Sequence, residues 1–275
     1  MDYNFTDLTR SPKEVFNDVI GSSTSQLLIP PNLTKYRIKV AELRSELKSI
    51  GLFSSGTTAT PKCIWNTFEN LKLNAKRTAK AFDIKSSNRI LMLAKPWHVA
   101  GLSWAIMVEN LGCEYEFITT HKGESIKWLE AIHRFKPDYL LTVPPVFRAL
   151  YNESWEVEHI VTGGIPLAKS DLEPLRKHCK VIYQGYGQTE AGGLISVLKK
   201  NILEKVEIDL HRNCGTPIEG VELQTKGSAE NPLDVYIRSE TANNVGFYNS
   251  GDVGYLKNGM IYLSGRKEII VSRKD

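Results

Sequence analysis

The chain has 275 residues, 41% hydrophobic and 24% charged, with a formal net charge of +4, the profile of a soluble globular protein of one large or two small domains. It shows no basic block that would call for nucleic acid, no apolar run long enough for a membrane span, and no signal peptide in its opening MDYNFTDLTR. Cys63, Cys113, Cys179 and Cys214 are far apart, which argues against a zinc site or disulfide framework and fits a reducing, cytoplasmic setting.

Residues 1–34 are weakly patterned, with loop signals at Ser22–Ser25 and Pro30–Pro31. Over Lys35–Ile50, Val40, Leu43, Leu47 and Ile50 share one face, which predicts a surface helix. Leu52 and Phe53 read as the end of a strand, followed by a small, hydroxyl-rich loop, SSGTTATPK. A helix is expected next, because Phe68, Leu71, Ala75, Ala79 and Phe82 recur at three-to-four-residue steps. Asn66 with Glu69 reads as its capping box.

From residue 89 the pattern alternates. Strands are expected at Arg89–Ala94, Glu114–Ile118, Tyr139–Val143, from His159, and at Lys180–Gln184; helices at Gly101–Leu111, Glu124–Phe135, Pro145–Tyr151 and around Lys169–His178. Repeated strand–helix units with apolar strands predict an α/β fold, a parallel sheet layered with helices. After about residue 205, VELQT, LDVYIRS, VGYL and MIYL are short strands separated by Gly, Asn and Pro, which predicts a β-rich, barrel-like part. The expected division is 1–204, 205–265 and a hinge at 266–275.

Four stretches carry chemistry. The first is the Ser54–Lys62 loop, where Gly56 allows close backbone approach, Ser54, Ser55, Thr57 and Thr58 offer hydroxyls and Lys62 adds charge, a set suited to phosphate. It is not a Walker loop, since Pro61 and Cys63 stand where that pattern needs Gly and Ser or Thr. The second, AKPWHVAGLS, places His98 between a strand and a helix. The third comprises Gly163 and Gly164 in VTGGIPL and the glycines of YQGYGQTEAGG, at strand ends where parallel sheets bind ligands. The fourth, NSGDVGYLKNGMIYLSGR, holds Asp252 and Arg266. Each has a plainer reading: a polar turn, a structural histidine, tight turns, a turn carboxylate and a surface cation.

Taken together these stretches resemble the adenylate-forming superfamily of acyl-CoA synthetases, luciferases and peptide-synthetase adenylation domains. Ser55, Gly56, Thr57, Thr58, Pro61 and Lys62 match its S-S/T-G-T-T-G-x-P-K-G loop, with Ala59 and Cys63 replacing two glycines. His98 and Gly101 match P-L-x-H-x-x-G, although Pro96 stands one position closer to the histidine; Tyr186, Gly187, Thr189 and Glu190 match Y-G-x-T-E; Asp252 and Arg266 match T-G-D-x-G followed by G-R. The resemblance implies an ATP-dependent carboxylic acid–CoA ligase that forms an acyl-adenylate and then an acyl-CoA. It implies phosphate binding by Lys62 and Thr189, Mg²⁺ on Glu190, an acyl pocket at His98 and adenine beside Gly163 and Gly164. It also implies a pocket shaped by Gly185, Tyr186 and Gly187 with the Tyr186 ring against the base, ribose on Asp252, and ribose or phosphate at Arg266.

The short N-terminal part, AKPWHVAGLS, TGGIPL and QGYGQTEAGG look closest to the o-succinylbenzoate–CoA ligases of menaquinone biosynthesis. The expected ligands are ATP, Mg²⁺, CoA and a small carboxylic acid, with a homodimer left open. In the superfamily a smaller domain carrying a catalytic lysine follows the hinge, where Glu268 stands; Lys267 and Lys274 do not match that lysine. The alternatives are a non-catalytic or partner-dependent nucleotide- or acyl-binding module and a ligase for a fatty or aryl acid.

Overall fold

The computed structural model describes residues 11–30, 47–53, 62–121, 123–204 and 212–267, and the backbone of 3–5. The first sheet comprises β1 (Tyr3–Phe5), β2 (Ser25–Leu27), β3 (Ser49–Phe53) and β4 (Cys63–Thr67), with α1 (Pro12–Gly21) between β1 and β2. β1, β2 and β3 run parallel, and β4 returns antiparallel to β3 with Phe53 opposite Cys63. The Ser/Thr/Gly loop therefore joins two paired strands, where the sequence predicted a direct passage from strand to helix. The helix that follows, α2 (Phe68–Ala81), is capped by Thr67, whose hydroxyl accepts from the Asn70 N–H at 3.2 Å. Asn66 is a buried residue of β4 and not the cap. The helix expected over Lys35–Ile50 lies largely outside the described residues; Ser49 and Ile50 are strand, because Ile50 pairs with Gln26 on one side and Asn66 on the other.

The second sheet is built from β5 (Arg89–Ala94), α3 (Val99–Leu111), β6 (Glu114–Thr119), α4 (Ser125–Phe135), β7 (Tyr139–Thr142), α5 (Pro144–Arg148), β8 (His159–Gly163), α6 (Leu172–Leu175), β9 (Val181–Gln188), β10 (Gly193–Asn201) and β11 (Thr216–Pro217). Its order is β11-β10-β9-β8-β7-β5-β6, parallel from β9 to β6 and antiparallel at β10 and β11. Alternate residues of each central strand enter different cores. Ile90, Met92, Tyr139, Leu141, Val161 and Tyr183 join the layer containing α1, α2 and α3. Leu91, Leu93, Leu140, Ile160 and Ile182 join that of α4, α5 and α6. Strands buried on both faces are mostly apolar, which is why they read as near-continuous hydrophobic runs.

The third sheet, β12 (Val221–Gln224), β13 (Leu233–Ser239), β14 (Tyr248–Lys257) and β15 (Met260–Arg266), is antiparallel in sequential order. Val235, Ile237 and Ile261 share a core with Ala191 and Ile195, so this sheet packs on the β10 side of the second. Three polar links from α2 reinforce the contact: Asn74 to Thr241, Arg77 to Glu240 and Lys80 to Glu219. No described helix is long and apolar enough to cross a membrane.

Candidate active site

The order β6-β5-β7-β8-β9 reverses direction at β5, and ligands of parallel sheets bind beyond the carboxyl ends at such a switch. His98 stands there, between β5 and α3, as the cap residue before the helix, with no side-chain cap bond. Gly101 lets α3 start this close to the strand, since a Cβ at that position would lie 2.3 Å from the Lys95 carbonyl oxygen. His98 is exposed as a residue, yet surrounding protein desolvates its ring, which, with the charge of Lys95 second, lowers its pKa from the usual imidazole value. The shift favours the neutral imidazole, which can both donate and accept a hydrogen bond.

Gly163 and Gly185 lie opposite each other on β8 and β9, and a Cβ on Gly163 would come within 2.8 Å of the Gly185 oxygen. The segment after Gly163 and Gly164 is pinned twice. The Leu167 N–H donates to Gln184 Oε1 at 2.8 Å, and the Ala168 N–H to Asp171 Oδ2 at 2.7 Å. Asp171 also accepts from Arg148 Nε and Nη2, at 2.8 and 2.6 Å, and from the Tyr151 hydroxyl at 2.7 Å. Burial works to raise its pKa, but the bonds from Arg148, Tyr151 and Ala168 prevail and hold it below the usual carboxylate value.

β9 continues through Gly185, Tyr186, Gly187 and Gln188, a stretch whose glycines predicted loop. A 3-10 turn at Thr189–Ala191 follows and lies against β4, the strand that Lys62 precedes. Thr189 is buried, Glu190 half-buried and Lys62 exposed. The start of β10 is held by Asn74, which accepts from the Leu194 N–H at 3.0 Å and donates to the Leu194 carbonyl at 2.9 Å, matching an irregular step in the β9–β10 register.

Asp252 on β14 is the centre of a polar network. Its Oδ2 accepts from the Tyr186 hydroxyl at 2.6 Å and Gln188 Nε2 at 2.7 Å; its Oδ1 accepts from Arg266 Nε at 3.0 Å. Burial, then the Asp252 charge, push the Tyr186 pKa well above its ordinary value, so this hydroxyl stays a donor. Burial alone would lower the Arg266 pKa, but Asp252, with smaller contributions from Tyr186 and Glu190, raises it. The Tyr248 pKa is raised by burial and then by Glu190 and Asp252. The structure thus brings together Tyr186, Gln188, Asp252 and Arg266, and sets the Thr189–Ala191 turn against the strand after Lys62. Gly163 and Gly185 are paired, while His98 lies at the same sheet edge two strands away. Ser54, Ser55, Gly56, Thr57 and Thr58 lie outside the described residues. Sequence reading missed Gln188 and Tyr248, although Gln188 occupies the variable position of its own motif, and it missed Asn74, hidden within an ordinary helical pattern.

A concavity of about 920 Å³ opens at the opposite, amino-terminal edge of the strands, lined by Lys136, Asp138, Trp155, Glu158 and Lys180 among others; it contains none of the predicted site residues.

A parallel sheet with helices on both faces, followed by a curled antiparallel sheet on its β10 side, is the adenylate-forming architecture. The chain belongs to the AMP-binding enzyme family, which it matches over residues 38–237. It is 29% identical over 245 residues to a 2-succinylbenzoate–CoA ligase of Bacillus subtilis, an alignment covering 80% of this chain and 49% of the relative. It is 27% identical over 256 residues to 4-coumarate–CoA ligase 3 of Arabidopsis thaliana, covering 79% and 45%. The fold is similar to that of the Bacillus subtilis o-succinylbenzoate coenzyme A synthetase solved with ATP and magnesium ion, with a TM-score of 0.74 at 19% identity over 97% of this chain and 69% of that one. The chain spans about half the length of these two curated relatives.

Proposed function

We propose that the chain carries the nucleotide- and acyl-binding part of an ATP-dependent carboxylic acid–CoA ligase, acting on an aryl acid of the o-succinylbenzoate type. The observation that carries this reading is Asp252, held by Arg266 and by Tyr186 and Gln188 at the end of the strand that leads into the Thr189–Ala191 turn. A buried, hydrogen-bonded carboxylate beside a tyrosine hydroxyl and an arginine suits a ribose followed by phosphates. The division at residues 204 and 265, with a hinge at 266–275, belongs to the same reading.

In this account the acid carboxylate attacks the α-phosphorus of ATP, the bond to pyrophosphate breaks, and CoA thiol later displaces AMP from the acyl-adenylate. Lys62 neutralises phosphate charge, Thr189 donates to the α-phosphate and His98 orients the acid. Catalysis then rests on positioning and charge neutralisation. Gly163 and Gly164 leave room for adenine, and Tyr186 sets its ring against the base while its hydroxyl stays on Asp252. The described residues contain no cluster of three metal-binding side chains, and Mg²⁺ needs none, since it binds through one or two carboxylates plus phosphate oxygens and water. Glu190 supplies the one carboxylate, and the ion would offset charge on the phosphates.

Titration of the chain with ATP, with and without Mg²⁺, tests these roles. Glu190→Gln is expected to weaken binding only when Mg²⁺ is present, and Asp252→Asn to weaken ATP and AMP alike by roughly tenfold. Unchanged binding in both variants would contradict the assignment.

A further inference from the structure

Two buried residues from elsewhere in the chain hold the segment that follows Thr189 and Glu190. They are Asn74 on α2, 0% exposed, and Thr241 just after β13, 1% exposed. Asn74 Oδ1 accepts from the Leu194 N–H at 3.0 Å and from the Thr78 hydroxyl at 3.3 Å. Its Nδ2 donates to the Leu194 carbonyl at 2.9 Å and to Thr241 Oγ1 at 3.4 Å. One amide thus pairs both backbone groups of a single residue, as a neighbouring strand would. It does so where the β9–β10 register slips between Leu194 and Ser196. The amide orientation is forced, since the flipped form would set Nδ2 against an N–H and Oδ1 against a carbonyl.

Thr241 reaches the turn itself. Its hydroxyl donates to the Ala191 carbonyl at 2.7 Å. That uses its only proton, so Ser239 Oγ, 2.9 Å away, donates to Thr241 Oγ1. The close fit requires glycine at two positions. Gly192 has a φ of +75°, and a Cβ there would lie 3.0 Å from the Thr241 carbonyl oxygen; Gly193 has a φ of +140°, and a Cβ there would lie 2.4 Å from Asn74 Oδ1. The helix that follows β4, the strand after Lys62, and the third sheet therefore meet on the backbone of Ala191 and Leu194.

We infer that Asn74 and Thr241 are positioning residues that fix the Thr189–Ala191 turn, so that Thr189 meets the α-phosphate and Glu190 its metal ion. This rests on the assignment of Thr189 and Glu190 to those partners. Asn74 and Thr241 act through the backbone of Leu194 and Ala191, not through the nucleotide. Releasing the turn therefore costs the phosphate- and Mg²⁺-dependent part of binding. The groups assigned to base and sugar sit on β8, β9 and β14 and keep their own hydrogen bonds.

The test is calorimetric titration of the whole chain with Mg·ATP and with adenosine, which lacks the phosphates. The variants are Thr241→Val, which removes the hydroxyl at nearly constant shape, Thr241→Ser, which restores it, and Asn74→Leu. Thr241→Val and Asn74→Leu are expected to bind Mg·ATP roughly tenfold more weakly and adenosine within about twofold of the native protein, and Thr241→Ser to match the native protein for both. Truncating Asn74 leaves two buried backbone groups unpaired; if that variant does not fold, Thr241→Val and its serine rescue decide. Native Mg·ATP affinity in folded Thr241→Val, equal losses for both ligands, or no rescue by serine would overturn the inference while leaving Thr189 and Glu190 in their roles. A native chain that binds Mg·ATP no more tightly than adenosine would overturn those roles and the inference with them.

Discussion

His98 and Asp171 are the residues whose environments make the sharpest demands. Replacing His98 with alanine should weaken binding of the carboxylic acid and leave ATP affinity unchanged, as read by calorimetry; equal losses for both ligands would assign His98 a structural role. Asp171 holds the segment after Gly163 and Gly164 in place. Its folded pKa is depressed, so its stabilising contribution is fully present above the unfolded value of about 3.9 and disappears as pH falls through the folded value. Denaturant midpoints measured from pH 7 downward should therefore fall less steeply in Asp171→Asn than in the native protein. Arg148→Met leaves the carboxylate, whose side chain is 4% exposed, without its cation. A loss of about 2–4 kcal/mol is expected at pH 7, moderated because the arginine side chain keeps 35% of its exposure. Indistinguishable midpoints would show that the pair contributes nothing.

At the scale of elements, the close approach of α3 to the end of β5 sets the position of His98. Gly101→Ala places a methyl group 2.3 Å from the Lys95 carbonyl oxygen, so the start of the helix must move. A cost of about 1–3 kcal/mol and weaker acid binding are expected; a variant with native midpoint and native affinity would show that this contact does not position the site. The same scale shows what the sequence made legible. The strands β5, β7, β8 and β9 were readable because burial on both faces gives largely apolar runs, and α4 because burial on one face gives helical periodicity, while α3 showed as a continuous apolar run. β4 was not, because its five residues include a buried asparagine and end on the threonine that caps α2. The extension of β9 through Gly185–Gln188 was hidden by glycines, which signal turns in isolation but here allow strands to approach closely. Thr67 displaced the expected cap because β4 extends to it and delays the helix by one residue. Of the candidate site, the motif residues were legible through the family resemblance, whereas Asn74, Gln188 and Tyr248 owe their place mainly to partners far away in the chain.

Across the whole molecule, the proposed site draws on separate units. Lys62 and Thr67 bound β4 of the first sheet, His98, Gly163 and Tyr186 come from the second, and Asp252 and Arg266 from the third. The shared core of Ala191 and Ile195 with Val235 and Ile237, and the links from α2, fix the third sheet where the β9 motif meets β14. The measurement that tests the central claim most directly is calorimetric binding of Mg·ATP and of AMP to this chain, alone, with o-succinylbenzoate, and with a fatty acid as control. The account predicts nucleotide binding that o-succinylbenzoate enhances and the fatty acid does not. A folded chain that binds neither nucleotide, with or without an acid, would contradict it.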